Sequence, residues 1–254
     1  MSVQSQSSYL QQPIFLLSSE RSGSNLIRAM FDSHPSIAAP APPHLLSTFF
    51  PLLPFYGHLE EHENFDSLCR DIFKAVDVQV GDWHSNFDKQ DIREKVATRS
   101  LLGIYDSLYS IETQNNNKSR TFIKENFSFD YAYYLLNYFP DAKFIYLLRD
   151  GRDFALSYLN SSSHFETLDE ISHRWWNEQR KCMTIYAEFA QSNNFYTIHY
   201  EDLITYPRKK LQEMCAFVGE DYSDYVSHYH QNQAITADAK RFKIGKTSTN
   251  PLLG

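Results

Sequence analysis

The most constraining feature of the sequence is a short apolar run that passes through a polar, glycine-containing loop directly into an amphipathic segment. The run is Ile14 to Leu17, the loop is Ser18 to Asn25 and the amphipathic segment is Leu26 to Ser33. This pattern predicts a strand, a tight loop and a helix. Backbone N–H groups and the positive end of the helix dipole then meet at one point, which favours binding of an anion such as phosphate or sulfate.

Side chains of the same loop also suit an anion. Gly23 permits a close approach of the backbone, and Arg21 supplies a positive charge with forked donors. Ser22, Ser24 and Asn25 add side-chain donors beside the predicted helix start. The loop is not a Walker A motif, because the GxxxxGK[ST] spacing is missing and no lysine precedes the helix. Taken alone, the loop is equally compatible with an ordinary N-cap and a tight turn.

Length and composition limit the number of domains and the kinds of partner. The 254 residues, 42% of them hydrophobic, predict a single α/β domain over residues 13–254 after a mobile tail at residues 1–12. The net charge of −7 and the isoelectric point near 5.8 disfavour a general surface for nucleic acid or anionic membranes. Three widely spaced cysteines without metal-ligand spacing, and a polar start without Lys or Arg, favour a protein of the reducing cytoplasm.

An alternation of strand and helix patterns continues along the chain. The run Phe144 to Leu148 is apolar at every position, which is typical of a strand buried on both faces in a parallel sheet. Further patterns predict strands at residues 37–39, 121–123 and 195–199, and helices at 65–78, 89–111, 130–139, 152–160, 168–191 and 207–218. We therefore expect a three-layer α/β fold, with a central parallel sheet of about four or five strands and helices on both faces.

Two segments between these elements are candidates for ligand contacts. Residues 51–64 are rich in proline, aromatic residues and histidine, which predicts an insertion or lid on the substrate side. Arg149 directly follows the strand that ends at Leu148, and Ser157 lies eight residues further on. In an open parallel sheet, ligands bind beyond the carboxyl ends of the strands. Arg149 is therefore expected in the same crevice as the first loop, unless it is a salt-bridged turn residue.

Four motifs together resemble those of the sulfotransferases that use 3′-phosphoadenosine 5′-phosphosulfate (PAPS). They are the first loop, FIKENF at residues 122–127, FIYLLRDGRDFALS at residues 144–157 and YEDL at residues 200–203. The resemblance covers residues 14–219. It is greater to the bacterial and tyrosylprotein-type members than to the cytosolic animal ones, because RSGSNLIRAMFDSHP has arginine where the cytosolic loop has lysine.

The resemblance implies a site for PAPS, with adenosine 3′,5′-bisphosphate (PAP) as the product and without a metal. It implies a P-loop-like loop for the 5′-phosphosulfate, and it assigns Arg149 and Ser157 to the 3′-phosphate. Lys124 is implied beside the sulfuryl group and Tyr200 near the adenine; a capped strand end and a core tyrosine are the alternatives. The residues implied for the 5′-phosphosulfate are Arg21, Ser22, Gly23, Ser24 and Asn25. The residues that loosely match the family's basic tail, or form a solvated charge run, are Lys243, Gly245 and Lys246.

The resemblance leaves the general base unassigned. Many relatives have a glutamate in the loop after HPxI, where this chain has Ala41 and Pro42. Cytosolic members have a histidine at the position of Asn126. A group with a pKa near neutrality is the best proton acceptor, so His44 on the proline-stiffened loop, with an ordinary pKa of about 6.5, is the first candidate. The alternatives are Glu125 and His84.

The predicted activity is transfer of the sulfuryl group from PAPS to a hydroxyl or amine of a small molecule, such as a bacterial specialised metabolite. Arg21 and Lys124 are the predicted catalytic cations, since they can stabilise charge on the departing phosphate. One alternative is a nucleotide kinase-like phosphotransferase, for which the Walker lysine is missing. Another is a non-catalytic module that binds PAP, since the usual base positions are substituted. The sequence indicates neither the acceptor's identity nor the oligomeric state.

Overall fold

Five parallel strands form the centre of the computed structural model, within the residues that it describes, 8–79, 83, 92–93, 96–160 and 166–231. The strands are β1 (Ile14–Ser18), β2 (Ile37–Ala38), β3 (Arg120–Ile123), β4 (Lys143–Leu148) and β5 (Phe195–His199). The strand β1 is central and pairs with β3 on one side and β4 on the other, while β2 and β5 form the two edges. The expected parallel sheet is confirmed.

Helices connect these strands. The α-helices of the described residues are α1 (Ser24–Asp32), α2 (Leu45–Phe49), α3 (His62–Gln79), α4 (Leu101–Asn115), α5 (Ala132–Tyr138), α6 (Gly151–Leu159), α7 (Leu168–Phe189), α8 (Tyr200–Thr205) and α9 (Pro207–Val218). Short 3₁₀ helices cover Phe50–Phe55, Ser128–Asp130 and Asp224–Gln231. In this described part of the chain, no helix is both long enough and apolar enough to cross a membrane.

Alternate side chains of the sheet enter two separate cores, because successive residues of a strand point to opposite faces. Phe15 and Leu17 of β1 belong to the first core, together with buried residues of α2, α3, α4, α5 and α7. Ile14 and Leu16 belong to the second core, together with buried residues of α1 and α9. Burial of each such side chain contributes about 1.5–3 kcal/mol. Helices therefore cover both faces of the sheet, as the three-layer prediction requires.

The helix predicted at residues 89–111 is interrupted among the described residues: residues 92–93 are helical, residues 96–100 are not, and α4 then extends to Asn115. α4 starts at Leu101 because the Ser100 side chain accepts a hydrogen bond from the Gly103 N–H at 3.0 Å and caps the helix there. The apolar spacing on which the prediction rested did not reveal this cap. The predicted helix at 130–139 is divided into the 3₁₀ turn Ser128–Asp130 and α5.

Residues 8–12, which belong to the predicted tail, are attached to the domain. The N–H groups of Tyr9 and Leu10 donate to the two carboxylate oxygens of Asp106 in α4, each at 2.8 Å. The Leu10 side chain is buried in the first core. Residues 8–12 therefore contact the domain, residues 1–7 lie outside the described residues, and the boundary at residue 12 stays a prediction.

The predicted insertion at residues 51–64 is partly helical. Its 3₁₀ helix begins with Phe50, whose ring stacks on Tyr131 at 4.8 Å between the ring centroids. Tyr56 donates to Asp71 of α3 at 3.0 Å, and α3 begins at His62. The segment is thus packed on its neighbours, and its role as a lid stays a prediction.

Candidate active site

The loop between β1 and α1 has the backbone shape of an anion-binding loop. Arg21 (φ 60°) and Gly23 (φ 93°) both adopt the left-handed conformation. The first N–H groups of a helix have no intrahelical acceptors. In α1 the N-cap residue is Gly23, which has no side chain that could accept from them. A Cβ atom at Gly23 would lie 2.5 Å from the Tyr200 ring, so the close contact and the positive φ both require glycine here.

The donors of this loop fit a phosphate or sulfate group. Ser22 Oγ is buried and has no hydrogen-bond partner among the described residues, which is unusual for a buried polar group. Ser24 is buried at the first turn of α1, and Asn25 is half-buried beside it. An uncapped helix start with a neighbouring hydroxyl donor is the arrangement that binds oxyanions in proteins.

The second predicted anion site lies against the first. Arg21 Nε donates to Ser157 Oγ at 3.2 Å, and Arg149 Nη1 donates to the carbonyl oxygen of Arg21 at 2.6 Å. The expectation that Arg149 shares a crevice with the first loop is therefore met. Arg149 Nε is buried and finds no partner within the described ranges, so the guanidinium retains a donor for a ligand. The assignment of Arg149 and Ser157 to a 3′-phosphate stays a prediction.

Tyr200 lies between the two loops. It is the first residue of α8, it is buried, and its ring contacts Gly23. The Arg149 guanidinium carbon lies 4.5 Å from the centroid of the same ring, within the range of a cation–π contact. The structure therefore gives Tyr200 a supporting position beneath both loops, and its contact with adenine stays a prediction.

A cavity of about 910 Å³ opens beside Arg149, between α6 and α7 and beyond the ends of β4 and β5. This volume is within the range of sites for small molecules. Trp175 forms part of its wall and donates from Nε1 to the carbonyl oxygen of Arg149 at 3.2 Å. Gln179 also lines it and donates to Ser19 Oγ in the first loop. The cavity therefore shares its wall with the residues that position both anion sites.

Lys124 is at the start of a hydrogen-bonded chain at the same edge of the sheet. It follows β3, and its Nζ donates to Asn126 Oδ1 at 2.7 Å. Asn126 Nδ2 donates to Glu20 Oε1 at 2.5 Å, and the Tyr158 hydroxyl donates to Glu20 Oε2 at 2.8 Å. Glu20 immediately precedes Arg21, so the chain joins the lysine to the first loop.

Burial and the positive charge of Arg28 lower the pKa of Lys124, Glu20 and Glu125 oppose the shift, and together these effects give a pKa of about 8. Arg28 lies on α1 and donates from Nη1 to the carbonyl oxygen of Ala39 at 2.9 Å. Lys124 is only 8% exposed, so its charge is not screened by surrounding water. The lysine therefore remains largely protonated at neutral pH and acts in a medium of low dielectric constant.

His44 is placed beside Lys124 and is neutral at pH 7. Burial lowers the pKa of His44 to about 4, Lys124 adds to this lowering and Glu20 opposes it. The pKa of His44 thus lies below the ordinary imidazole value, because the ring is more buried than its loop sequence indicated. His44 has a φ of 55°, and its Nδ1 is buried and unbonded within the described structure. The neutral ring has a nitrogen that can accept a proton, but its low pKa beside the lysine makes it a weaker base than an ordinary imidazole.

Glu125, the second candidate base, is a helix cap. It is 3% exposed, Oε1 accepts from the Leu45 N–H (3.1 Å) and the Tyr109 hydroxyl (3.3 Å), and Oε2 accepts from the Leu46 N–H (3.2 Å). Burial raises the pKa of Glu125 to about 7, and these hydrogen bonds oppose the shift. Glu125 thereby fixes the start of α2, directly after His44. The predicted residues outside the described structure are His84, Lys243, Gly245 and Lys246.

Glu20, Tyr158 and Glu178 are site residues that the sequence reasoning missed. Burial and the neighbouring charge of Glu20 together raise the pKa of Glu178 to about 7. A signal for Glu20 was present, since an acidic residue is unexpected in a loop that binds anions. No cluster of His, Cys, Asp or Glu in the described ranges has the size of a metal site.

Sequence comparison finds similar proteins over most of the chain. Residues 13–224 match the sequence profile of a group described as the sulfotransferase family. Protein-tyrosine sulfotransferase 1 of Danio rerio is 23% identical over 224 residues, which are 86% of this chain and 56% of the relative. Protein-tyrosine sulfotransferase A of Caenorhabditis elegans is 22% identical over 225 residues, 86% of this chain and 52% of the relative. The chain thus spans about half the length of these curated relatives.

Solved structures with the same fold include two sulfotransferase domains. The sulfotransferase domain of the Synechococcus PCC 7002 olefin synthase has a TM-score of 0.61 and 21% identity, and the match covers 94% of this chain and 85% of that chain. The sulfotransferase domain from the curacin biosynthetic pathway has a TM-score of 0.57 and 20% identity, with 94% and 82% covered. At this level of identity the similarity concerns the fold.

Proposed function

Because this chain belongs to the sulfotransferase family, we propose that it transfers the sulfuryl group of PAPS to a hydroxyl or amine of a small-molecule acceptor. The main support is the contact between the two loops, in which Arg21 bonds to Ser157 and Arg149 bonds to the Arg21 backbone. This contact places two arginines beside an uncapped helix start. A nucleotide with phosphate groups at both its 5′ and 3′ positions has the charge pattern that suits such a pair of sites.

The residues present fit PAPS as co-substrate. The loop N–H groups, Arg21 and the residues Ser22 to Asn25 would hold the 5′-phosphosulfate, and Ser22 Oγ and Arg149 Nε each retain a free buried donor within the described chain. Arg149 and Ser157 would hold the 3′-phosphate. Tyr200 supports both loops from below and would lie near the adenine.

The chemistry follows from the charges of the site. An acceptor oxygen or nitrogen forms a bond to sulfur while the bond between sulfur and the bridging phosphate oxygen breaks, and PAP leaves. Negative charge grows on the bridging oxygen, where Lys124, Arg21 and the loop N–H groups can stabilise it. The acceptor proton passes to His44, which is neutral at pH 7. Two observations support the assignment of His44 as the base: it lies beside Lys124, and the alternative base Glu125 is engaged as a helix cap.

We infer a bacterial specialised metabolite as the acceptor, supported by the fold neighbours from an olefin synthase and from the curacin biosynthetic pathway. A tyrosine side chain of a protein is the second candidate, favoured by the similarity to protein-tyrosine sulfotransferases. Cys69, Cys182 and Cys215 are free and buried, which supports a reducing compartment such as the cytoplasm.

Transfer from ³⁵S-labelled PAPS tests the proposal. The purified protein is incubated with a panel of phenols, alkyl alcohols, amines and a tyrosine-containing acidic peptide, and labelled products are separated by chromatography. We expect label in at least one acceptor, and loss of that product in the Lys124→Met variant. Calorimetric binding of PAP without any transfer would favour the non-catalytic module. Absence of both transfer and PAP binding, with turnover of ATP and magnesium instead, would overturn the proposal in favour of a phosphotransferase.

A further inference from the structure

Glu20 occupies an unusual place for a carboxylate, since it lies within the anion-binding loop directly before Arg21. Both of its oxygens accept hydrogen bonds, one from Asn126 and one from Tyr158. We propose that Glu20 is a positioning residue, whose carboxylate orients the Asn126 amide so that the amide oxygen holds the ammonium group of Lys124. This inference deepens the proposed sulfuryl transfer and rests on it.

The argument begins with the asymmetry of the amide. An asparagine side chain has one accepting end and one donating end, a lysine ammonium only donates, and an ionised carboxylate only accepts. Asn126 lies between Lys124 and Glu20, so both neighbours require the same orientation, with Oδ1 toward Lys124 (2.7 Å) and Nδ2 toward Glu20 (2.5 Å). The bond from Tyr158 to the second oxygen fixes the carboxylate itself. The lysine is therefore oriented through Asn126 by a residue of the first loop.

The charges around Lys124 give this arrangement a function. Arg28 of α1 repels the ammonium group, whereas Glu125, the residue after Lys124, attracts it. His44, on the loop before α2, is neutral at pH 7. Glu125 is already engaged by three donors at the start of α2. Glu20 is thus the carboxylate that is linked to the lysine by two directed hydrogen bonds, both of them through the Asn126 amide. Without it, a buried ammonium beside Arg28 is disfavoured, because burial penalises the charged form.

The sign of the expected change follows directly. Lys124 must be protonated to stabilise the departing phosphate, so the rate falls as the pH rises through the pKa of Lys124, about 8. Replacement of Glu20 by glutamine removes an attractive charge. It also allows the Asn126 amide to flip, so that its oxygen and nitrogen exchange places. The pKa of Lys124 should then fall, and the alkaline limb of the pH profile should move toward neutral pH.

NMR of the lysine side chains measures this change in the pKa of Lys124 and requires no sulfuryl acceptor. The protein is labelled with ¹³Cε-lysine, and the Lys124 signal is assigned as the one that is absent from the Lys124→Met variant. The pH titration of this signal is then followed in the wild type and in Glu20→Gln. We expect the pKa of Lys124 to fall by about one unit or more in Glu20→Gln. The matched control is Glu213→Gln, because Glu213 also accepts from a tyrosine (Tyr196, 2.9 Å) and a nitrogen donor (Lys210, 2.9 Å) but lies on α9. That control should leave the Lys124 titration unchanged.

A swap of the polar groups tests the orientation. In the double variant Glu20→Gln with Asn126→Asp, the new aspartate accepts from both Lys124 and the glutamine at position 20. We expect the pKa of Lys124 to return to the wild-type value or above it. Recovery in this variant also separates a specific role from a general loss of folding. An unchanged Lys124 titration in a folded Glu20→Gln protein, or no recovery in the double variant, overturns the inference.

Rate measurements then connect the orientation to transfer. In single turnovers with ³⁵S-labelled PAPS and the acceptor from the panel, Glu20→Gln should lower the transfer rate about tenfold at pH 8 while PAP affinity changes less than threefold. If the wild type transfers label and Glu20→Gln keeps the wild-type rate and pH profile, only this inference fails. If the wild type transfers label to no acceptor, the proposed function fails, and the NMR result still decides the role of Glu20.

Discussion

Arg149 donates a 2.6 Å hydrogen bond to the carbonyl oxygen of Arg21, so the residue after β4 holds the backbone of the loop after β1. The two strands are neighbours in the sheet, and parallel pairing brings their carboxyl ends to the same edge. The Arg21 side chain in turn reaches Ser157 on α6. The two proposed phosphate sites are therefore one connected structure, and a change at Arg149 should affect both.

Replacement of Arg149 should reduce the preference for a 3′-phosphate. A charge-assisted hydrogen bond contributes about 1.5–3 kcal/mol, so Arg149→Ala should weaken PAP binding by about 10- to 150-fold. Binding of adenosine 5′-phosphate should weaken much less, through the loosened Arg21 loop. Calorimetry with both nucleotides measures the difference. Arg152→Ala is the matched control, because Arg152 lies on the same segment, is 89% exposed and pairs with Asp150. Equal affinity of the wild type for both nucleotides would remove the 3′-phosphate site.

Lys124 should act mainly on the transition state. In Lys124→Met the single-turnover rate should fall by about 100-fold or more, because charge on the departing phosphate loses its nearest buried cation, while PAP binding weakens by less than about tenfold. Lys181→Met serves as control, since Lys181 pairs with Asp130 on the surface. A variant that loses nucleotide affinity but keeps its rate would make Lys124 a ground-state contact.

The pH profile should be bell-shaped with unusually distant limbs. His44 accepts a proton only when neutral, so the rate should rise through a pKa of about 4 and fall through the Lys124 pKa of about 8. His44→Ala should lose about 100- to 10,000-fold in turnover and keep its PAP affinity. The exposed His58 provides the control substitution. If His44→Ala keeps its rate and Glu125→Gln loses it, the base is Glu125.

Glu125 should make the fold less stable as the pH rises from about 4.5 to about 7. Its pKa is near 4.5 in the unfolded chain and about 7 in the folded protein, so the folded state retains a proton that the unfolded state releases in this range. The expected loss is about 3 kcal/mol over that window. Denaturant unfolding of the wild type and Glu125→Gln at several pH values measures it, because a neutral glutamine removes this dependence. Identical pH dependence in both proteins would contradict the prediction.

Two glycines with similar backbone angles should respond differently to alanine. Gly23 (φ 93°) lies against the Tyr200 ring, whereas a Cβ atom at Gly219 (φ 78°) would have nothing within 4 Å. Gly219→Ala should therefore cost only the strain of a left-handed alanine, about 1–2 kcal/mol. Gly23→Ala should cost more and weaken PAP binding, because either the loop or the ring must move. Unchanged PAP affinity in Gly23→Ala would show that the contact with Tyr200 does not set the loop position.

The sequence could predict features that depend on the order of elements. The apolar run at 144–148 and the loop before α1 were enough for a parallel sheet, and parallel strands bring Arg21 and Arg149 to one edge whatever the side chains do. The Lys124, Asn126 and Glu20 chain was not predictable, because it joins side chains from segments that are about a hundred residues apart. The low pKa of His44 was not predictable from the sequence for a related reason, because the burial of this side chain depends on how the whole chain packs.

Trp175 gives this site an optical reporter of its own. The indole N–H donates to the backbone of Arg149, and the six-membered part of the ring lies against Gly151 at the start of α6. Any ligand that draws the Arg149 guanidinium toward a phosphate will also disturb the peptide on which this indole rests. The other tryptophans of the chain are Trp83 and Trp176. Nucleotide binding should therefore change the intrinsic fluorescence, and the change should vanish in Trp175→Phe, which allows occupancy to be followed in stopped flow without a dye.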